Sequence, residues 1–259
     1  MLEENFFNKK NLYIKNIDKF TAKKFVKKHH YSHSSNLCVV SYGLFQKTDI
    51  PSKFFNEMES KLIGVVIYSQ PAGRSAAESI SESVKIDECL ELIRLVILDG
   101  YGKNIESWFI SQSFKSLRID FPKIKVIISY SDTEQNHKGI IYQACNFMFT
   151  GLNSDTNLMP NFSISLTKNP YNWLHSRTVF SIYGSHNVEH LKRTIGQTFW
   201  RKKEAGKLRY IYIIADKRTK KEILKTLKMK SLPYPKNCDY QEEIEEFIVN
   251  TSSEIQFFG

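Results

Sequence analysis

Hydrophobic and polar residues follow two different periods along the chain, and these periods predict helices and strands in a definite order. After Asp18, the segment KFTAKKFVKKHH repeats apolar residues at helical spacing with lysines on the other faces, so it predicts an amphipathic first helix. Two runs rich in β-branched and aromatic residues, at 37–45 and 61–68, predict an antiparallel pair of strands. The Ser- and Glu-rich stretch 72–87 predicts a loop or a short exposed helix.

The middle of the chain predicts two strand–helix units. A buried strand at 91–98 leads through the turn-rich DGYGKN to a helix that begins near Glu106. A second strand at 125–130 leads through the polar loop SDTEQNH to a helix from about Lys138, and FMFTG predicts a last short strand. Two antiparallel strands followed by strand–helix units predict an α/β (α+β) fold, with a central mixed sheet flanked by helices. This is the order of elements in a GNAT-like acyltransferase fold.

The pattern after residue 151 is less regular. Residues 185–200 mix basic and apolar side chains and predict a helix, and RYIYIIA at 209–215 predicts a strand. Residues 217–229 predict a basic helix, and LPYPK after it is held extended by its two prolines. The acidic segment 240–249 predicts a final helix before the tail.

Charge is distributed unevenly, although the net charge is +10. Residues 191–236 carry fifteen Lys or Arg against three acids, residues 1–30 have a net charge of +5, and the tail from 237 onward has −6. We therefore predict a GNAT-like catalytic core over 1–175 and a basic C-terminal extension over 176–259, continuous with the core and ending in an acidic tail. Basic segments beside a near-neutral core are typical of a polyanion-binding enzyme. A basic surface without a partner is the alternative.

Composition excludes several classes of protein. No stretch approaches the roughly 20 apolar residues that a membrane helix needs, and the N-terminal segment lacks the pattern of a secretory signal. The four cysteines show no CxxC spacing, which indicates free thiols rather than disulfides or a thiolate zinc site. We expect a cytoplasmic protein without a membrane partner, and the oligomeric state is left open.

The segment SYSDTEQNHKGIIYQACNFMFTG, residues 129–151, carries the strongest candidate chemistry. Asp132 and His137 lie in the loop that precedes the helix bearing Tyr142. A phenol there can protonate a leaving group or hold a donor, and a carboxylate can orient or deprotonate an amine. The alternative is that Asp132 caps the helix and Tyr142 is a core ring.

Other candidate residues lie on the preceding elements. Arg94 interrupts an apolar strand and needs an anionic partner, which is either Asp132 or a phosphate or carboxylate of a donor. Ser107 lies near the start of the next helix, where it can cap the helix or help to bind an anion. We assign Asn104, Ser107 and Arg94 to donor binding.

A metal site is a further option. His30, together with Tyr68 and Tyr142, could hold a ferric-like ion, and His33 lies close by in sequence. Polar surface or nucleic-acid contact is the alternative for these histidines.

The basic C-terminal part supplies candidate nucleic-acid contacts. Cationic and aromatic side chains alternate there, as is typical of a site that stacks a base displaced from the helix. The candidates are Arg201, Lys202, Lys203, Arg209, Tyr210 and Lys236. The alternative is that Tyr210 and its neighbour Tyr212 are strand residues packed on a helix.

Three segments carry a resemblance to a known family: ELIRLVILDGYGKNIESWF, the segment at 129–151, and KLRYIYI with LPYPK. Together they resemble the Mom family of bacteriophage DNA-modifying proteins, which convert adenine to its N6-carbamoylmethyl derivative and protect phage DNA from restriction. The resemblance implies double-stranded DNA as partner, a phage or prophage gene, and action inside a bacterial host cell. It also implies functional roles for Arg94, Ser107, Asp132, Tyr142 and, in its His-Tyr segment, His30.

The donor is left open. GNAT enzymes that use acetyl-CoA usually carry a Q/R-x-x-G-x-G/A loop, and DGYGKNIES does not reproduce it. Acyl-CoA and a glycine-derived group on another carrier, including an aminoacyl-tRNA, both stay open as donors.

The interpretation we adopt is a Mom-like transferase acting on adenine N6. The predicted catalytic residues are Asp132, Tyr142, Arg94, Ser107, Tyr68 and His30. One alternative is a GNAT N-acyltransferase that acts on protein, tRNA or a small amine. The other is a nucleic-acid-binding protein without catalysis.

Overall fold

The computed structural model describes residues 9–30, 33, 37–51, 58–71, 75–153, 161–237 and 242–249. The chain divides into two compact units, each discontinuous in sequence. Unit 1 comprises residues 1–131, 137–151 and 208–236, and unit 2 comprises residues 132–136, 152–207 and 237–259. The division proposed from the sequence lies at residue 175.

The described residues form ten strands: β1 (Leu12–Asn16), β2 (Val40–Pro51), β3 (Met58–Ser69), β4 (Cys89–Ile97), β5 (Val126–Asp132), β6 (Met148–Leu152), β7 (Phe162–Ser165), β8 (Phe199–Lys203), β9 (Lys207–Ile213) and β10 (Ile244–Phe247). They also form seven α-helices: α1 (Lys19–His29), α2 (Ser75–Glu78), α3 (Ile105–Asp120), α4 (Ile140–Ala144), α5 (Ser176–Tyr183), α6 (Val188–Ile195) and α7 (Lys217–Lys225). None of these helices is long and apolar enough to cross a membrane.

Unit 1 is built on a seven-stranded sheet in the order β1-β2-β3-β4-β5-β9-β6. Strands β1 to β4 pair antiparallel, whereas β4 and β5 pair parallel. The sheet is therefore mixed, and helices accompany it as the sequence predicted. The prediction of a GNAT-like α+β fold is confirmed.

The first helix forms where the sequence predicted it. The Asp18 carboxylate accepts a hydrogen bond from the Thr21 backbone N–H at 2.9 Å and so satisfies one of the donors that a helix start leaves unpaired. Ala22 and Val26 of α1 are fully buried and pack in a cluster with Val65 and other apolar residues of β3 and β4. Burying each large aliphatic side chain contributes about 1.5–3 kcal/mol, so this face attaches α1 to the sheet.

A second core cluster joins α2 and α7 to strands β5 and β9. Ala77, Ile223 and Ile211 are fully buried there, together with Val126 and Ile128 of β5. Strand β9 lies between β5 and β6, and it therefore completes the sheet of unit 1 although it comes late in the chain.

Unit 2 has its own sheet and core. Strand β8 pairs antiparallel with β7 on one side and with β10 on the other. Its core contains Ile164, Val179, Leu191 and Phe199, contributed by β7, α5, α6 and β8.

The sequence prediction was wrong for the acidic segment 240–249. Its described part contains strand β10 rather than a helix, because Glu245 pairs with Arg201 across the antiparallel ladder to β8. The predicted helix over 185–200 is present only as α6, since Phe199 and Trp200 begin β8. Strands β1 and β7 and helix α5 were not predicted.

Candidate active site

A local break in the sheet of unit 1 marks the candidate site. Ile67 of β3 lies opposite Arg94 of β4, but Tyr68 lies opposite Leu92, so Ile93 is an extra residue that forms a β-bulge. The parallel pairing of β4 with β5 runs only as far as Leu92 and its partner Ser129. Bulges are common beside active sites, where they re-aim side chains. Arg94 therefore lies just past the bulge, on the part of β4 beyond its ladder with β5.

His30 has a strongly lowered pKa, and the charge of Arg94 contributes to it. Burial of its ring, followed by the positive charges of Arg94, His33 and His137, lowers the pKa of His30 from 6.5 to about 4. The imidazole is therefore neutral at pH 7, and one ring nitrogen can accept a hydrogen bond while the other donates one. Two of these charges, Arg94 and His137, come from segments distant in sequence from His30, whereas His33 is three residues away.

The Arg94 guanidinium donates a hydrogen bond from Nη1 to the Ile93 carbonyl oxygen at 2.6 Å, which ties it to the bulge. Asp132, the protein partner considered from the sequence, pairs within unit 2, where its Oδ2 lies 3.6 Å from Lys207 Nζ. Its Oδ1 accepts the Glu134 backbone N–H at 3.0 Å, so Asp132 shapes the turn after β5.

Tyr68 and Tyr142 belong to an aromatic cluster of unit 1. Tyr68 is fully buried in β3, and its hydroxyl shares a 2.6 Å hydrogen bond with Ser113 Oγ. Burial is the main cause that raises the pKa of Tyr68, and nearby Cys145 and Tyr142 add to it, so the phenol stays protonated. The Tyr142 ring lies 5.3 Å from that of Tyr210 and is only partly buried. Tyr142 is thus the more accessible phenol of the two.

The metal-binding role of His30, Tyr68 and Tyr142 stays a prediction. A ferric-like ion prefers the phenolate form of tyrosine, whereas burial disfavours that form for Tyr68. Among the described residues, no three His, Cys, Asp or Glu side chains are arranged to hold a metal ion.

A cavity of about 550 Å³ opens beside the first turns of α3 in unit 1. Two of the three predicted donor-binding residues, Asn104 and Ser107, line it, whereas Arg94 is not among its lining residues. The remaining lining residues are Lys9, Trp108, Ser111, Phe114, Ala144, Cys145, Asn146 and Tyr212. The wall is mostly neutral and partly aromatic.

Two features of this wall bear on what it can hold. Asn104 begins α3 at φ 65° and makes no side-chain capping hydrogen bond, so its amide is not used by the helix start. Burial raises the pKa of Cys145 to about 12, so this thiol is neutral and not nucleophilic. The sequence analysis missed Trp108, Cys145 and Tyr212, because ordinary helix and strand residues carry no signal of facing a cavity.

Two predicted DNA contacts, Arg201 and Lys202, are engaged inside unit 2. Arg201 is paired with Glu245, and its guanidinium lies over the Phe162 ring at 4.1 Å from the ring centre. The Lys202 Nζ lies 2.6 Å from Glu242 and 4.9 Å from the centre of the Trp173 ring. Their charges are therefore largely balanced by the protein.

The other predicted contacts are divided. Arg209 is buried and donates to Thr150 Oγ1 at 3.0 Å, and Tyr210 is fully buried with its hydroxyl donating to the Lys138 carbonyl. Lys203 and Lys236 lie exposed at the surface. The DNA-binding role of all six residues stays a prediction.

The low pKa of His30 predicts a dependence of stability on pH. The unfolded chain protonates His30 near pH 6.5, whereas the folded chain resists protonation down to about pH 4, so the unfolded state binds more protons between these values. Stability therefore falls as the pH drops through this window. We expect His30→Gln to reduce this loss of stability at low pH in thermal melts. Because the ring is partly exposed, solvent screening makes the effect smaller than the pKa shift alone suggests. The control variant His29→Gln, at the exposed neighbouring residue, should keep the wild-type dependence of stability on pH. Equal pH dependence in the wild type and in both variants would contradict the assignment of this effect to His30.

Comparison with known proteins gives both sequence and structural similarities. The model of the Mom protein family matches residues 11–236. The methylcarbamoylase Mom of Escherichia phage Mu is 25% identical over 151 residues, which are 58% of this chain and 58% of that protein. The match thus spans less than two thirds of the phage Mu protein.

The similar solved structures include acetyltransferases. The spermidine/spermine N-acetyltransferase SpeG from Vibrio cholerae, in complex with manganese, is 9% identical with a TM-score of 0.39, covering 79% of this chain and 94% of that one. A chimera of Vibrio cholerae SpeG and hSSAT is 9% identical with a TM-score of 0.41, and the match covers 83% of this chain and 99% of the chimera. The GNAT acetyltransferase YhbS from Escherichia coli, in complex with CoA, is 10% identical with a TM-score of 0.35. The match covers 53% of this chain and 68% of YhbS.

Proposed function

The chain belongs to the Mom protein family, and from that premise we propose that it is a transferase that adds a carbamoylmethyl group to N6 of adenine in double-stranded DNA. The observation that carries the proposal is the extent of the family match, which includes His30, Arg94, Ser107, Asp132 and Tyr142. The similarity to the methylcarbamoylase of phage Mu agrees with it. The modification would protect phage DNA from restriction inside a bacterial host.

Adenine N6 is difficult to modify, since its lone pair is delocalised into the ring and the atom is paired and stacked inside a duplex. The base must be turned out of the helix. The amine must then be oriented, and its proton must leave as the new N–C bond forms. The neutral imidazole of His30 suits the orienting role, because it can accept a hydrogen bond from N6–H.

Three other residues complete the proposed chemistry. Asp132 is proposed from its place in the family match as the acceptor of the N6 proton. Tyr142, the accessible phenol, donates a hydrogen bond to the leaving group of the donor. Arg94, fixed at the bulge by its bond to the Ile93 carbonyl, does not line the α3 cavity, and it is proposed to stabilise negative charge on the part of the donor that extends beyond that cavity.

The donor is proposed to occupy the cavity beside α3. Asn104 and Ser107 place an amide and a hydroxyl at its wall, and Trp108 and Tyr212 add aromatic surface. These groups suit a small neutral group such as a carboxamide better than a highly charged one. A glycine-derived donor fits this wall, and whether the carrier is CoA or an aminoacyl-tRNA is left to experiment.

The decisive experiment is mass spectrometry of nucleosides from bacteria that express the protein. We expect deoxyadenosine carrying a carbamoylmethyl group in cellular DNA, and far less of it in cells that express Tyr142→Phe. An acylated protein, tRNA or small amine with unmodified DNA would instead identify an N-acyltransferase. Unmodified nucleosides and no acylated product, with DNA binding intact, would identify a binding protein without catalysis.

A further inference from the structure

The outer face of α1 carries a concentration of charge that the candidate active site does not use. The helix KFTAKKFVKKH contains five lysines and no acidic residue. All five lysines are exposed: Lys19, Lys23, Lys24, Lys27 and Lys28. The nearest acid, Asp18, is engaged in capping the helix through Thr21. A helix of this composition presents one sign of charge along its whole length.

The direction of this face follows from the residues that α1 buries. Ala22 and Val26 point to the core at 0% exposure, which places residues about half a turn away toward solvent. Phe20, Lys24 and Lys27 are spaced by four and three residues, so they form one row on the outward side.

Phe20 is the unexpected member of this row. Its side chain is 76% exposed, although an aromatic ring normally gains by burial. An exposed aromatic ring within a row of lysines is typical of surfaces that bind nucleic acid, where cations contact phosphates and apolar rings contact sugars or bases.

The C-terminal end of α1 leads directly to the candidate active site. The helix ends at His29, and the next residue is His30, whose pKa is lowered in part by the charge of Arg94. A polyanion bound along α1 would therefore pass the residues that are proposed to orient its base.

The division of charge between the units agrees with this placement. Unit 1 carries 29 Lys and Arg against 16 Asp and Glu, a net charge of +13, whereas unit 2 carries 8 against 11, a net charge of −3. In unit 2, Arg201 and Lys202 of β8 are paired with Glu245 and Glu242. The unbalanced positive charge of the chain thus lies in unit 1.

We propose that the outer face of α1 is a docking surface for duplex DNA, with Lys24, Lys27 and Lys28 on the phosphate backbone and Phe20 against a sugar or base edge. This inference rests on the proposed function and names the surface that would hold its substrate. The eleven residues of α1 span about 16 Å. A duplex presents about ten negative charges over that length, enough to engage every lysine of the face.

The test is a salt titration of the affinity of the full chain for an unmodified DNA duplex. We expect the triple variant Lys24→Gln, Lys27→Gln, Lys28→Gln to bind roughly 10- to 100-fold more weakly at low salt, and to lower the slope of log affinity against log salt by about 2 to 3. Glutamine keeps the helix propensity of lysine, so the fold should survive the change. Phe20→Ala should weaken binding while leaving the salt slope as in the wild type.

The matched control removes the same charge from another exposed helix of unit 1, as Lys217→Gln, Lys220→Gln, Lys221→Gln in α7. We expect that variant to keep nearly the wild-type slope. If both triple variants lost DNA affinity and salt slope equally, DNA would be attracted by the overall positive charge of unit 1 rather than bound by α1. That result would overturn the inference. It would also be overturned if the α1 variant lost affinity for a structured RNA and kept its affinity for DNA.

Different results would refute the proposed function and the DNA-docking surface. Nucleoside analysis without modified adenine would refute the transferase activity, whereas an unchanged salt slope in the α1 variant would refute the docking surface even if adenine is modified.

Discussion

Replacing Tyr142 with phenylalanine should lower the rate of adenine modification by roughly 100- to 10,000-fold, the range that a positioned proton donor contributes. The substitution removes the hydroxyl and keeps the ring. The centre of this ring lies 5.4 Å from that of Phe147 and 5.3 Å from that of Tyr210, and these contacts hold α4 in place. Thermal stability should change by no more than about 1 kcal/mol. The measurement is the initial rate of modified deoxyadenosine formation, determined by mass spectrometry.

Asp132→Asn should reduce the same rate by a similar factor, since it removes the proton acceptor while the amide oxygen can still receive the Glu134 backbone N–H. Two control variants match these changes. Tyr13→Phe removes a β1 hydroxyl that donates a hydrogen bond to Ser60 of β3, and Asp216→Asn replaces the helix cap of α7 with another good cap. Both controls should keep full activity. Full activity in Tyr142→Phe or in Asp132→Asn would remove that residue from the proposed chemistry.

Arg94→Gln should have two linked effects. The first is a loss of modification of roughly 100-fold or more, because the guanidinium no longer stabilises charge on the donor. The second is a rise in the pKa of His30 from about 4 toward its ordinary value of 6.5, because Arg94 is the largest contributor after burial. His30 is required as a neutral hydrogen-bond acceptor, so residual activity in this variant should fall at a higher pH than in the wild type.

The measurements for Arg94→Gln are an NMR titration of the His30 ring and a pH–rate profile. Arg118→Gln is the matched control, since this exposed arginine of α3 donates to the Ile214 carbonyl and is not among the causes that lower the pKa of His30. It should leave the titration of His30 unchanged. An unchanged His30 pKa in Arg94→Gln would show that the two side chains do not interact in solution.

The sequence by itself determined the helices and strands whose periodicity is strong. Helix α1, strands β2 to β5, helix α3 and strand β9 all lie where the sequence predicted them, because these segments alternate or repeat apolar residues over several turns or pleats. Prediction failed for the acidic strand β10, where local composition favoured a helix. Pairing of Arg201 with Glu245, 44 residues away, stabilises the strand instead.

For the candidate site, residue types in motifs predicted Asn104 and Ser107 at the start of α3, and both line the cavity. The tertiary structure alone decided the environment of the site. The bulge at Ile93 depends on register with β3, and the buried bond between Tyr68 and Ser113 joins residues 45 positions apart. The low pKa of His30 depends on burial and on charges brought from β4 and the loop after β5. The periodicity that predicts helices and strands depends only on neighbours in sequence. Burial and electrostatic potential depend on all the groups that surround a residue in space, and those groups come together only when the chain folds.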